Sequence, residues 1–449
     1  MTDNQISATL PVDIGHLLPR LTEISLSKNR FYGPIPSSLS NASSLEVVQL
    51  TNNSFSGRIP ESLGTLTNLS CLHLQMNNLE AKDRNDWKFI DALSNNTKLK
   101  RLDLSVNRLG GALPSSIGNL STVLEILNVG DNQISGRIPE EMVNLVSLNA
   151  LIMDGNHLSG PIPNSLGMLP RLQGLVLDDN HITGEIPLSF GNRSQMARLS
   201  LRNNELIGSI PANLGRHLEF LSLEKNKLTG GIPREIFSIT SLSRGLYLSD
   251  NSLTGPIPLE VGSLKSLQAF HVSNNNLSGE LPSTLGDCQS LESLSMGGNS
   301  FHGSIPSTLG NLKGIKILDL SHNSFFGDIP QFLEELKYLN YLNLSFNSFS
   351  GMSPTGNNFK DGWSLRKFVC DALPERIGDV IDARLLEEEE EEDGCARDCI
   401  VSVLRTGILC SEESPLKRSQ MKDVSKEMHA IRDALFLVVG GKEKLSNTR

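Results

Sequence analysis

The sequence predicts an α/β solenoid, a right-handed curved superhelix of stacked parallel strands, and three observations predict it. Fourteen asparagines recur on a near-constant beat, mostly 24 residues apart: Asn29, Asn53, Asn77, Asn107, Asn132, Asn156, Asn180, Asn204, Asn226, Asn251, Asn275, Asn299, Asn323 and Asn347. Each closes a stretch of the form L-x-x-L-x-L-x-x-N, as in Leu172, Leu175, Leu177 and Asn180. Most are followed by a run such as LTGEIP or LSGPIP. Three leucines per unit cannot bury themselves, so the short strands must stack and share one apolar interior. The asparagine amide, with two donors and an acceptor, satisfies backbone groups in the turn after each strand, and stacked asparagines form a ladder.

Units of this consensus are leucine-rich repeats. They run as one elongated domain over residues 1–357, about fourteen units plus a partial first one that opens at MTDNQISATLPVDIGHL. In each, proline of the IP dipeptide fixes an extended segment after the glycine turn and disfavours helix at the residue before it, which predicts a second short strand. The rhythm is interrupted once, where LEAKDRNDWKFIDALSNNTK replaces the SGxIP turn between Asn77 and Asn107. Trp87, Ile90 and Leu93 are spaced there for one face of a helix covering the convex side. The unit ending at Asn226 is two residues short, which predicts a local change of strand tilt. Beyond a boundary near Asn358 the periodicity changes, and residues 358–449 form a separate helical tail. In it SLRKFVCDAL and the series Met421, Val424, Met428, Ile431, Leu435 mark helix faces, on either side of the solvated acidic run from Glu387 to Asp393.

Composition narrows the function. The chain has 449 residues, a formal net charge of -10 and only 5% aromatic residues, which suits a leucine and isoleucine core. No basic patch interleaves with aromatics, which excludes nucleic acid as partner. No charged n-region precedes an apolar stretch at the N-terminus, and no run of about 18 apolar residues occurs, so neither a signal peptide nor a membrane span is read. Cys71, Cys288, Cys370, Cys395, Cys399 and Cys410 lack the paired spacing of a disulfide framework. Cys395 and Cys399 lie one helical turn apart without a nearby histidine, so they are read as structural and no metal is expected.

Within the strand motif the two central leucines point inward, and the residues beside them alternate onto the concave sheet face, where neighbouring strands lie about 4.8 Å apart. That spacing suits an extended peptide or a protein loop. The candidate ligand-binding residues are those that abandon the usual polar consensus in the middle repeats: Ile126 and Asn128, Ile152 and Asp154, Val176 and Asp178, Arg198 and Arg202, Phe220 and Glu224, Tyr247, and His271. They read as an apolar strip beside a charged one, with aromatic anchors at Phe220 and Tyr247 and charge selection by Asp154, Asp178 and Arg202. The plainer alternative is that Asp178 and Arg202 neutralise each other across adjacent strands while the apolar residues pack sideways. Asp319 and Asn343 follow consensus. Glycosylation sequons stand at Asn41, Asn52, Asn68, Asn95, Asn119, Asn192, Asn276 and Asn343, although a motif rich in Asn, Leu and Ser also produces N-L-S by chance.

The SGxIP consensus, the irregular unit NDWKFIDALSNNTKLKRLDLSVNRLGGALPSSIGNLS and the tail together resemble the plant leucine-rich-repeat receptor-like serine/threonine kinases, in particular the immune-receptor branch called subfamily XII. FKDGWSLRKFVCDALPERIGDVIDARLLEEEEEED and CIVSVLRTGILCSEESPLKRSQMKDVSKEMHAIRDAL are similar to the end of such a receptor's kinase C-lobe. The resemblance implies an ectodomain on the extracellular face of the plasma membrane that binds a peptide or protein ligand, with a co-receptor kinase as second partner. It implies ATP and magnesium as cofactors for the intact family only. This chain carries no G-x-G-x-x-G phosphate loop, no VAIK-like lysine, no HRD aspartate and no DFG aspartate, so no catalytic residue, no kinase activity and no cofactor are expected. Arg418 matches the family's arginine that pairs with a glutamate of the activation segment, and that glutamate has no counterpart here. The alternatives are a soluble decoy or enzyme-inhibitor-like repeat protein, and a truncated gene product without activity.

Overall fold

In the computed structural model the described residues are 1–191, 195–349 and 401–406, with positions 424, 426 and 428–431. Contacts divide the chain into two compact units, Met1–Phe349 and Ser350–Arg449. The first is built on one 14-stranded parallel sheet in strict chain order, from Glu23–Ser25 through Gly174–Val176 to Tyr341–Asn343. Each strand is three residues long and pairs in register with the strands of the units before and after it, as Leu151, Leu175 and Leu199 do. The middle residue of nearly every strand is buried, and Leu172, Leu175 and Leu177 of one unit lie against their counterparts in the next. At about 1.5–3 kcal/mol per buried leucine, stacking supplies what one unit alone lacks.

The asparagine ladder is made as its chemistry requires. Asn180 donates through Nδ2 to the carbonyls of Met153, Leu177 and Asp178, at 3.0, 3.2 and 3.0 Å, and its Oδ1 accepts from the Leu158 amide at 3.0 Å. The residue before each ladder asparagine takes left-handed backbone, whatever its side chain: Lys28, Val106, Asp179 and Phe346 all have φ between 50 and 56°. That turn brings the amide of the asparagine into reach of the next unit's carbonyl, as Asn180 N does to Asn203 O at 3.2 Å.

A second strand does follow each ladder asparagine, but it lies before the IP dipeptide: His181–Glu185 ends ahead of Ile186 and Pro187. The proline instead opens a 3-10 turn, as Pro163 does at φ -60 and ψ 129° ahead of Asn164–Met168. Missed from the sequence is a second ladder along these turns. Ser165, Ser189, Thr284 and Thr308 each donate a side-chain hydroxyl to a carbonyl 25 residues earlier, at 2.6–3.2 Å.

The interrupted unit carries a 3-10 turn, Arg84–Trp87, continued by an α-helix, Lys88–Leu93, with Trp87, Ile90 and Leu93 all buried. Trp87 donates its indole N–H to Gly110 O at 2.9 Å. Buried Asp86 accepts from the Lys82 amide at 2.8 Å, and the Arg58 Nε stands 2.7 Å from its other oxygen as an ion pair. The short unit ending at Asn226 leaves the large sheet unbroken but divides the second layer into an eight-stranded sheet ending at Glu205–Ile207 and a six-stranded one starting at Thr229–Gly230. An isolated Ser209 to Thr229 bridge spans that seam, with the Lys227 and Thr229 amides donating to Leu206 O and Gly208 O at 2.8 Å each.

Of the tail, residues 401–406 are helical, with the Thr406 hydroxyl bonded to Ser402 O at 2.9 Å, and Val424, Met428 and Ile431 lie at helical positions. Met421, Leu435, Arg418, Cys370, Cys395, Cys399 and Cys410 fall outside the described residues. Cys71 and Cys288 are free thiols, and burial pushes the Cys288 thiol up to about 12.

Candidate functional site

Alternation along each three-residue strand sends its first and third side chains to the outer face of the 14-stranded sheet. The register sorts them into rows running across the strands. Ile126, Ala150, Gly174, Arg198, Phe220 and Gly245 share the first row, and Asn128, Ile152, Val176, Ser200, Ser222, Tyr247 and His271 the third. The single apolar strip read from the sequence is therefore two pieces. Ile126 stands opposite Ala150, one row away from Ile152 and Val176, which are neighbours of each other.

In the third row consensus polar residues do internal work. One oxygen of Asp103 accepts both the Ser105 amide, at 3.1 Å, and its hydroxyl, at 2.7 Å, and Asp319 does the same for Ser321. Asn128 is held likewise, accepting from the Gly130 amide at 3.1 Å and donating to the Ser105 hydroxyl at 3.2 Å. Ile152, Val176, Tyr247 and His271 have given up that cap and are half-buried on the open face.

Phe220, Tyr247 and His271 form a continuous aromatic shelf. The first pair of rings is 5.4 Å apart and tilted by 42°, the second 4.9 Å apart and edge-on at 87°. The Arg198 guanidinium lies over Phe220 at 4.5 Å, a cation–π contact. The Tyr247 ring covers Gly245, where a Cβ would run into it. His271 Nε2 and the Ser293 hydroxyl are 2.8 Å apart, and burial holds this imidazole below its usual value of 6.5.

The charged positions are arranged differently from a simple Asp178 to Arg202 pair. Asp178 accepts from the Ser200 hydroxyl and from the backbone amide of Arg202, both at 2.7 Å, so its oxygens cap the next unit's turn. The Arg202 guanidinium is shared instead between Asp179 and Glu224, at 3.9 Å each. Burial raises the carboxyls of Asp154, Asp178 and Glu224 above the usual range; at Asp154 the neighbouring Asp131 pushes the same way. Among the described residues no group of His, Cys, Asp and Glu is arranged to hold a metal.

Two clefts among the described residues lie away from the run Ile152 to His271. An apolar cleft of about 490 Å³ beside the first strand is lined by Leu10, Ile14, Ile24 and Phe31, and one of about 600 Å³ lies by Pro256, Pro258 and Pro282. Of the sequon asparagines, Asn41, Asn52, Asn95, Asn119 and Asn276 are exposed and Asn68 is half-buried. Asn192 lies outside the described residues. Asn343 is half-buried on the outer face, with its Oδ1 bonded to Ser345.

The leucine-rich repeat family model matches ten stretches, from 20–42 to 314–336, which together span just over half of the chain. A stretch of 78 residues, 17% of this chain, is 49% identical to the LRR receptor-like serine/threonine-protein kinase EFR of Arabidopsis thaliana, covering 8% of that protein. The solved LRR ectodomain of the plant membrane receptor kinase GASSHO1/SCHENGEN3 from Arabidopsis thaliana, in complex with CASPARIAN STRIP INTEGRITY FACTOR 2, is 35% identical with a TM-score of 0.65 over 78% of this chain and 44% of that one. The LRR ectodomain of the Arabidopsis receptor kinase HAESA, in complex with an N-terminally extended IDA peptide hormone, is 33% identical at a TM-score of 0.65, over 77% and 61% of the two chains. The chain thus spans less than two thirds of the length of each of these three relatives. No helix of the described residues is long and apolar enough to cross a membrane. With its strands in unbroken parallel order, its asparagine ladder complete and its repeats matched by the family model, the chain belongs to the leucine-rich repeat family, in the form found in plant receptor-kinase ectodomains.

Proposed function

We propose that this chain is a peptide- or protein-recognition module of the subfamily XII receptor kinases, which takes an extended ligand across the concave, outer face of its large sheet and performs no phosphoryl transfer. The observation that carries the reading is the run from Ile152 to His271. There the side chains that cap turns elsewhere on the face give way to two aliphatics and an aromatic shelf, open to solvent on rigid strands. GASSHO1/SCHENGEN3 and HAESA, which share the fold, were each solved with a bound factor or peptide hormone. Ile152, Val176, Phe220, Tyr247 and His271 are the residues assigned to ligand contact. Arg198, Arg202, Glu224 and Asp154 select its charge, while Asn128, Ile126 and Asp178 border or buttress the surface. A co-receptor kinase as second partner, the extracellular face of the plasma membrane as location, and glycans at the exposed sequons belong to the same reading. Residues 358–449 are assigned as the remnant of a kinase C-lobe. In that assignment the chain has no group to hold nucleotide or magnesium, and labelled ATP should transfer no phosphate.

The test is selection of a random dodecapeptide library displayed on phage against the full chain. Wild type and Lys265→Glu, an exposed change away from the face, should enrich a shared family of peptides. Ile152→Glu should lose their capture. Enrichment that survives Ile152→Glu places recognition elsewhere and refutes the reading.

A further inference from the structure

The outer face carries an indentation that the residue-by-residue reading of the sequence passed over. In the first row, large side chains stand on both sides of two small ones: Ile126, then Ala150 and Gly174, then Arg198. No atom lies within 4 Å of where a Cβ on Gly174 would sit, whereas the equivalent space over Gly245 is filled by Tyr247. Gly174 has no positive φ, so its backbone does not demand glycine, and a strand glycine with open space above it marks a place of close approach. Beside the notch stand Ile152 and Val176, half-buried, and its far wall is Arg198.

We propose that this notch, on the ligand-binding face assigned above and resting on that reading, is a specificity pocket for one aromatic side chain of an extended peptide. The guanidinium carbon of Arg198 already lies over the Phe220 ring, 4.5 Å from its centroid. A planar cation held this way presents its opposite face to a second ring, and the aromatic side chain in the notch completes a ring–guanidinium–ring stack. Ile152 and Val176 give that ring apolar contact along its edge. The charge distribution decides against the obvious alternative, a ligand carboxylate on Arg198. Arg198 lies within the field of Asp178, and Asp154, Asp178 and Asp179 make the surroundings acidic, so a further carboxylate meets repulsion whereas an uncharged ring does not. An aliphatic side chain fits the floor but leaves the guanidinium face unused.

Gly174→Leu tests the pocket cleanly, because the added side chain enters empty space and should leave the thermal midpoint where it is. Library selection is run on wild type, Gly174→Leu, Arg198→Gln and Ile152→Glu. The expected result is that peptides enriched on wild type share Phe, Tyr or Trp at one position. Gly174→Leu and Arg198→Gln should each reduce the capture of those peptides at least tenfold, and replacing the shared aromatic by Leu should do the same on wild type. If capture depends on Ile152 but the enriched peptides share no aromatic, share Asp or Glu instead, or bind Gly174→Leu undiminished, the pocket is overturned and the recognition face stands. If no capture depends on Ile152, both fall together.

Discussion

At the scale of one residue, the ladder asparagine and the residue before it place opposite demands on the chain. Asn180 bonds four backbone groups from inside the protein, and Asn180→Ala orphans the Leu158 amide, while the three carbonyls keep second donors: Asn156 Nδ2 on Met153 O, Asn204 Nδ2 on Leu177 O and the Gly155 amide on Asp178 O. At about 1–3 kcal/mol for the one buried group left unpaired, the expected loss is about 2 kcal/mol, read as a lower urea midpoint. Val106 illustrates the reverse: a β-branched residue at φ 53°, 42% exposed, held in left-handed backbone by the turn around it. Val106→Gly should raise stability by about 1 kcal/mol, read as a higher urea midpoint, because the strain disappears and little buried surface goes with it. The ladder was legible in the sequence because asparagine chemistry and spacing coincide in all fourteen units. The strained position was not, since Lys28, Val106, Asp179 and Phe346 share a backbone angle and no side-chain property. The face shows the same limit. Ile126 and Ile152 look alike, but counted back from their asparagines they sit at different strand positions, and register, not residue type, decides who is a neighbour. Asp178 and Arg202 were the right pair for the wrong reason, since it is the arginine's backbone amide that the carboxylate meets.

At the scale of the element, the interrupted unit shows how a helix is admitted into a stack of turns. Lys88–Leu93 buries Phe89, Ile90 and Leu93 and packs against the preceding unit so closely that a Cβ on Gly64 would collide with Ala92 and its backbone. Gly64→Ala is expected to cost about 2 kcal/mol or more, because backbone of the helix cannot yield as a flexible side chain would; thermal melting of the variant checks it. That helix was legible from Trp87, Ile90 and Leu93, whose 3.6-residue spacing departs from the repeat. The hydroxyl ladder was not. Its signal, Ser or Thr two residues after the proline, is present in the text, but these residue types are common on any surface. Only the 3-10 turn opened by that proline aims them at the carbonyl one unit back.

For the molecule as a whole, acid acts on the sheet face in two opposed ways. Burial lowers the imidazoles of His73 and His271 from 6.5, so the folded chain binds these protons less readily than the unfolded one, and stability present above about pH 6.5 is lost as pH falls through it. Burial raises the carboxyls of Asp154, Asp178 and Glu224, so their contribution is present at low pH and lost as pH rises through the carboxylate range. His271→Gln should therefore flatten the decline in melting temperature below pH 6.5. Asp154→Asn should raise the melting temperature at neutral pH and change nothing at about pH 3, where both carboxyl states are protonated. Every side-chain bond of both ladders ends within one unit: 22 and 27 residues back for Asn180, 25 for Ser189. Because no such tie among the described residues skips a neighbour, the stack has a removable link. Excising residues 157–180, one whole period, joins Asn156 to His181 with every remaining leucine still in phase, and circular dichroism should show a folded, shorter chain. Taking out half as many residues puts the cut edges out of step, and the two parts must then melt separately. Length in such a protein is thus a quantity that heredity can change by whole steps without redesigning what remains.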